Sequence, residues 1–521
     1  MITKDQVKAA IKKGKTLDDA AELLGTSRRQ LLRLRQKFGM VEGSEFVEPI
    51  NQNLADRFTG KFKEQSDKTH RDYKRFVITS IQNDTKIDKD FYKSLINYCR
   101  LNQAKLLVVP VYYNFHDYSR FNIDEDVLFF DNIQMNKHLK LLSRLKILPT
   151  IVDPFAGLDG ISKGDSIIIP HPQVAMKTMA TLGDSPAQMY TTGSISLQEG
   201  IYAKNKTGYK AEFNHSVAAL VVEFGQGDSF HIRGLNSDDK HGFYDISGYY
   251  SPDKFTHLTS IEAIYTGDEH ASVADPKVVK ATYLDANSIV KTLKPKLICR
   301  GDVFDAQSVS HHDDHDYLTR YGKAALGLNS VEKEFDITCD FIKKTTPPGT
   351  KNLIIGSNHN DHLYKWLTTC DPHKDLTNAK IYHKLSYLLM DSLEKVASGI
   401  SYPNLLELWI NNSQWVGSSV MQFLGRRQSY KILGVEVSMH GDKGINGAKG
   451  SPIGFSRLPV KSIVGHSHSP SIRLGCYTVG TSSLMDLSYT GGASSWMHTH
   501  CVIYPNGKRQ LINIINGKWH A

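Results

Sequence analysis

No stretch of the 521-residue chain approaches 18 consecutive apolar residues, and the opening MITKDQVKAAIKKGK lacks the apolar centre of a signal peptide. Both absences argue against a membrane segment and against export. Cysteine is sparse: Cys99, Cys299, Cys339, Cys370, Cys476 and Cys501 lie far apart, with no CxxC pair. That excludes a disulfide framework and a thiolate zinc site, and it fits a reducing compartment such as the cytoplasm. Neither sign of charge dominates, since 63 Lys and Arg against 54 Asp and Glu leave +9. Such a balance permits a polyanionic partner without requiring one. A hydrophobic content of 40% is that of an ordinary soluble globular protein. At this length roughly two to four domains are expected.

Residues 1–44 stand apart. Ten Lys and Arg against five Asp and Glu give +5, over half the net charge in under a tenth of the chain. TLDDAAELLGTSRRQLLRLRQKFG predicts a short helix capped by Thr16 and ended by Gly25, then a second helix with Leu31, Leu32, Leu34 and Phe38 inward. Arg28, Arg29, Arg33, Arg35 and Lys37 are left outside. The pattern resembles a basic helix-turn-helix whose second helix would enter a DNA groove; a helical cap used for protein contact stays open. Residues 45–72 are polar and aperiodic, and read as a linker. FVITSI, DKDFYKSLINYCRLN and KLLVVPVYY then form a βαβ signature, with further strands expected at KILPTIVD, SIIIPHP and AALVVEFG. Residues 73–255 are therefore assigned to an α/β region of unassigned role. Its His171, His215 and His231 have no ligand spacing and read as structural.

From residue 256 the pattern sharpens. IEAIYTGDEHA closes on Asp268 and His270, and PKLICRGDVFDAQ on Asp302 and Asp305. NLIIGSNHNDH closes on Asn358 and His359, YKILGVEVSMHGDKG on His440, and KSIVGHSHSP on His466 and His468. Ligands of open α/β sheets bind beyond the carboxyl ends of the strands, so neighbouring strands would bring these groups into one site. The donors are imidazoles, carboxylates and an amide without thiolate, a set suited to manganese, iron or zinc, and to magnesium less well.

The order D-x-H, G-D-x-x-D, N-H, H, G-H-x-H over roughly residues 260–475 resembles the calcineurin-like metallophosphoesterase superfamily. The resemblance implies a four-layer α/β/β/α sandwich over residues 256–521, holding two divalent ions with manganese as first choice. Asp302 would bridge the ions, with Asp268, His270 and His468 completing one site and Asn358, His440 and His466 the other. His359 would protonate the leaving oxygen, and Asp305 would orient it. A pair of ions about 4 Å apart activates water and clamps a phosphoryl group, which is what phosphodiester hydrolysis at neutral pH needs.

Two departures refine the expectation. Many phosphatases of the superfamily carry an arginine after the second aspartate of G-D-x-x-D, where this chain has Ala306. GDVFD without that arginine is more similar to the double-strand-break repair nucleases of the superfamily. The usual G-N-H-D/E reads GSNHND, which interposes Ser357 and leaves the role of Asp361 open. In overall order the chain also resembles the first-step-transfer DNA-degradation proteins of T-five-like phages, which would place it in the host cytoplasm. The expected activity is that of a metal-dependent deoxyribonuclease with DNA as partner, self-association being left open. A small-molecule phosphodiesterase or phosphatase, and a DNA-binding regulator with a structural metal, are the alternatives. HHDDHD (311–316) could hold a further metal, shape the rim or be a plain loop, and Arg426, Arg427 and Lys431 could meet a nucleic-acid backbone.

Overall fold

The computed structural model describes residues 2–13, 17–27, 30, 31, 34, 73–83, 85–111, 123, 127–183, 185–198, 202–313, 315–394, 403–413, 420–487 and 491–520. The chain divides into two compact units, Met1–Thr69 with Tyr112–Arg120, and His70–Val111 with Phe121–Ala521.

In the first unit, Lys4–Lys13 is helical. Thr3 and Gln6 cap it reciprocally, the Thr3 N–H donating to Gln6 Oε1 at 2.8 Å and the Gln6 N–H to Thr3 Oγ1 at 3.3 Å. Val7 and Ile11 pack against Ala20, Ala21 and Leu31, Ala20 and Ala21 lying on the helix Leu17–Leu23. Gly25, at φ +61°, ends that helix in the left-handed conformation that glycine adopts without cost. Thr16, the expected linker 45–72 and all five basic side chains assigned to DNA contact (Arg28, Arg29, Arg33, Arg35, Lys37) lie outside the described residues.

The second unit is mixed α/β. The βαβ signature forms as read: strands Arg75–Gln82 and Lys105–Val111 pair in parallel across the helix Lys89–Asn102. They belong to a four-stranded sheet completed by Ala218–Phe224 and Phe230–Asn236. KILPTIVD is not a strand. Pro149 offers no N–H to a ladder, the chain turns there with the Ile151 N–H donating to Leu148 O at 3.0 Å, and Ile147 packs beside Phe155 and Met189.

A six-stranded sheet carries Met421–Leu424, Lys351–Ile355, Leu297–Arg300 and Ala263–Tyr265 in parallel, then the antiparallel hairpin Thr499–Ile503 and Arg509–Asn513. Successive side chains in a strand point to opposite faces. Ile264, Ile298, Val502 and Ile512 accordingly share a cluster with the helical residues Val278, Ile289 and Leu293. Tyr265, one residue on, reaches Met439 O at 3.4 Å, and Arg509 donates to Ser462 O and Gly475 O at 2.8 Å. Ser462 lies in a ten-stranded sheet against this other face, and Met439 and Gly475 lie in loops next to its strands.

The ten-stranded sheet joins Lys431–Ile432, Val435–Glu436, Lys461–Val464, Ser471–Arg473 and Cys476–Thr478 to five strands drawn from residues 133–191. The seam is the antiparallel pairing of Ile472 with Met176 and Ser471 with Lys177. The division expected at residue 255 is therefore not a division between sheets. A strand edge carries unpaired N–H and C=O groups, and here each segment supplies the edge that satisfies the other.

Candidate metal centre and active site

The centre lies where the carboxyl ends of the two sheets meet. Asp268 and His270 follow Ala263–Tyr265, Asp302 follows Leu297–Arg300, and Asn358 with His359 opens the helix Asn358–Thr369 after Lys351–Ile355. His466 and His468 follow Lys461–Val464 of the other sheet, and His440 follows Val435–Glu436 beside it. The two acidic loops are zipped together by the backbone: Glu269 N–H donates to Gly301 O at 3.0 Å and His270 N–H to Asp302 O at 2.8 Å.

Asp302, His440 and His466 offer donor atoms within 4.8 Å of one another, and so do His270, Asp305 and His359. His440 Nε2 lies 2.9 Å from Asp302 Oδ2. His468 links the remaining ligand candidates, its Nε2 being 3.4 Å from Asp268 Oδ2 and 3.1 Å from His270 Nε2. Asp305 sits between two rings, at 2.8 Å from His270 Nδ1 and 3.2 Å from His359 Nδ1. The same His359 Nδ1 is 2.6 Å from the Asp305 carbonyl oxygen, which leaves Nε2, 3.7 Å from Asp302 Oδ2, facing the centre. Asn358 heads the helix that carries His359, its side-chain oxygen buried.

Three observations bear on whether cations fit. Asp268 Oδ1, Asp302 Oδ1, Asn358 Oδ1, His440 Nδ1 and His468 Nδ1 are buried without a hydrogen-bond partner. Buried polar atoms are nearly always satisfied, so such a set of lone-pair donors asks for an electrophile. Four of the seven proposed ligands also hold positive φ: His270 (44°), Asp302 (43°), His466 (68°) and His468 (56°). For non-glycine residues that costs about 1 kcal/mol or more each and concentrates at functional sites. Finally, the glycines before the ligands make room for a carboxylate. A Cβ on Gly301 would stand 2.7 Å from Asp268 Oδ1, and one on Gly465 would overlap the same atom. The donor set therefore suits hard or borderline divalent cations.

Burial and charge pull against each other here. Burial alone would neutralise Asp302, yet His359 and His440 hold it well below the usual carboxylate range. Burial opposes a charged His359, but Asp302 and Asp305 outweigh it and raise the ring to about 10. His466 and His468 move the other way, burial lowering both.

The departures resolve locally. Ser357 is the N-cap of the His359 helix, and Asn360 completes the reciprocal cap by accepting the Ser357 N–H at 3.1 Å. Asp361 points away, bound by Lys443 Nζ at 2.9 Å and near Arg426 Nη2 at 3.4 Å. Ala306 is fully buried in the cluster of Phe304 and Phe335, so it does not face the centre. Arg426 is committed to Asp442 and to Gly356 O. In the HHDDHD segment, Asp313 pairs with Lys323 and Asp316 caps the helix Tyr317–Ala325, while the His311 ring packs 4.7 Å from His362, itself 5.2 Å from His359. His498 and His500 are structural: His500 Nδ1 accepts the Gly267 N–H at 2.8 Å.

Sequence reasoning missed Glu269 and Arg300. Both are wholly buried, Arg300 Nη1 lying 2.8 Å and 2.9 Å from the two Glu269 oxygens and Nε 2.8 Å from Asn352 Oδ1. Glu269 stands between two ligand candidates and Arg300 two residues before a third, so the pair clamps both loops. An acid between two ligands, and an arginine ending the apolar run LIC, were the available signals.

No protein-family model matches the chain, and no solved structure matches it. The sequence is 32% identical over 473 residues to Protein A1 of Escherichia phage T5, covering 86% of this chain and 83% of that protein. Identity at this level over most of both chains makes them one family, and the protein belongs with Protein A1 of Escherichia phage T5.

Proposed function

We propose that the protein is a metal-dependent nuclease of the calcineurin-like metallophosphoesterase type, hydrolysing DNA phosphodiester bonds, in keeping with phage-encoded degradation of host DNA. The observation that carries the reading is the set of buried, unpartnered oxygen and imidazole donors converging from five strand ends. On this reading the six- and ten-stranded sheets are the inner layers of a four-layer α/β/β/α sandwich. The N-terminal helices are the start of a DNA-binding helix-turn-helix.

Asp268, His270, Asp302 and His468 would hold one divalent ion, and Asp302, Asn358, His440 and His466 the other, manganese being first choice. When bound, such ions neutralise phosphoryl charge and activate water at neutral pH. The chain supplies the proton. His359 Nδ1 is held by the Asp305 carbonyl and carboxylate, which leaves Nε2 as the acid for the departing oxygen. Asp305 acts through His359 and is a positioning residue. The absence of a phosphate-facing side chain at Ala306 favours a nuclease over a phosphatase.

The test is incubation with manganese and duplex or single-stranded DNA, comparing wild type with His359→Ala. Cleavage by wild type and its loss by at least about a hundredfold in the variant are expected. Turnover of a phosphomonoester without DNA cleavage would make the protein a phosphatase. Salt-sensitive DNA binding with no cleavage, indifferent to the substitution, would make it a regulator.

A further inference from the structure

The strand Met421–Leu424 runs parallel to Lys351–Ile355, so Gly425–Arg427 emerge at the same end of the sheet as Asn358. Arg426 turns inward, donating from Nη1 to Gly356 O and to Asp442 Oδ1, each at 2.9 Å. Lys443, three residues after His440, reaches Asp361 on the His359 helix at 2.9 Å. Two cations and two acids thus cancel, and in doing so they stitch the loop after His440 to that helix.

The loop itself is tight. Gly450 N–H donates to Asp442 O at 2.8 Å and Gly444 N–H to Ala448 O at 2.7 Å, and Lys443 and Lys449 face each other as an antiparallel bridge pair. A Cβ on Gly450 would overlap Gly441 O, so the base of the loop closes beside His440 only with glycine there. Like charges placed opposite each other cost stability. Lys449 and Arg427 are exposed, and among the described residues neither makes an ion pair. The acids of the same stretch are withdrawn. Glu436 is buried and accepts from Ser429, Tyr430 and Ser438, and Asp442 is taken by Arg426. Between residues 425 and 450 the exposed charged side chains are all cations: Arg427, Lys431, Lys443 and Lys449.

We propose that Arg427 and Lys449 grip two phosphates of a polynucleotide backbone, so that the substrate strand reaches the centre over the 441–450 loop. This rests on the hydrolase reading for its purpose. The recognition itself is of phosphate charge and carries no base sequence.

The test uses the full chain and the double variant Arg427→Gln/Lys449→Gln. Two probes serve, a duplex oligonucleotide and a single strand, each titrated across salt. Turnover of bis(4-nitrophenyl) phosphate with manganese reports separately on the centre. Each lost contact lowers the slope of log affinity against log salt by about 0.9 for duplex and about 0.7 for single strands, so a shallower slope by about 1.8 or about 1.4 tells which form the surface grips. Affinity at moderate salt should fall about tenfold or more, with turnover of the small diester retained. Lys351→Gln is the control, an exposed lysine at the opposite end of the sheet. A slope unchanged in the double variant, or lowered equally by Lys351→Gln, overturns the proposal. If wild type hydrolyses neither DNA nor the small diester, the hydrolase reading falls while the slopes still decide the grip.

Discussion

Gly465 and Asp268 are in such close contact that a methyl group on the first would overlap the carboxylate of the second. The adjoining His466 N–H donates to Asp268 Oδ2 at 2.6 Å, so the turn at Gly465 also holds that carboxylate in place. Gly465→Ala must displace one or the other. We expect a loss of about 1–3 kcal/mol of stability, as for overpacking, together with weakened metal binding. Gly160→Ala, where an added Cβ meets nothing within 4 Å, should be neutral or slightly stabilising. Thermal unfolding with and without manganese compares the two, and equal behaviour would contradict the geometry.

Divalent ions should stabilise the fold. The ligands converge only in the native state, so an ion at a hundred times its dissociation constant adds about 2.7 kcal/mol. Asp302→Asn should remove most of this gain, because the Asp302 carboxylate shares a donor cluster with His440 and His466 and its Oδ1 is buried without a partner. A melting temperature indifferent to manganese in the wild-type protein would sink the metal assignment.

The Glu269–Arg300 pair is a buried ion pair, and breaking one partner leaves an uncompensated charge. Arg300→Met should cost about 3–5 kcal/mol, read from urea midpoints. The double variant with Glu269→Gln should recover part of the loss, since no naked charge remains. A single-variant loss below about 1 kcal/mol would show that the clamp bears no load.

Acid should destabilise the protein at histidines remote from the centre. Burial pushes His171, His215 and His231 down to about 4 each. In the unfolded chain they titrate near about 6.5. A folded value below the unfolded one means that stability is complete above about 6.5 and is lost as pH falls toward 4. At His171 burial is the cause, and its Nδ1 accepts the Gln173 N–H at 3.1 Å. Each ring is worth up to about 3 kcal/mol. Urea midpoints measured from pH 7.5 to 4.5 should slope accordingly, less steeply in His171→Gln.

Much of the centre was readable along the chain because the ligand candidates sit two to five residues beyond the end of a strand. D-x-H and H-x-H are patterns of neighbouring residues, and local patterns survive in a sequence. The βαβ unit was readable for the same reason, its two strands pairing in parallel from Phe76 with Lys105 to Gln82 with Val111. KILPTIVD misled because its apolar content outweighed the proline within it.

The order of donors and the chemistry they suit come from residue identity alone, because an imidazole or a carboxylate keeps its donor atoms wherever the chain places it. Folding alone decided the rest. It set His440 and His468 on a different sheet from Asp268 and Asp302, paired Met176 with Ile472, and turned Arg426 inward while leaving Arg427 outside. Those outcomes depend on contacts between residues hundreds of positions apart, which no local pattern encodes.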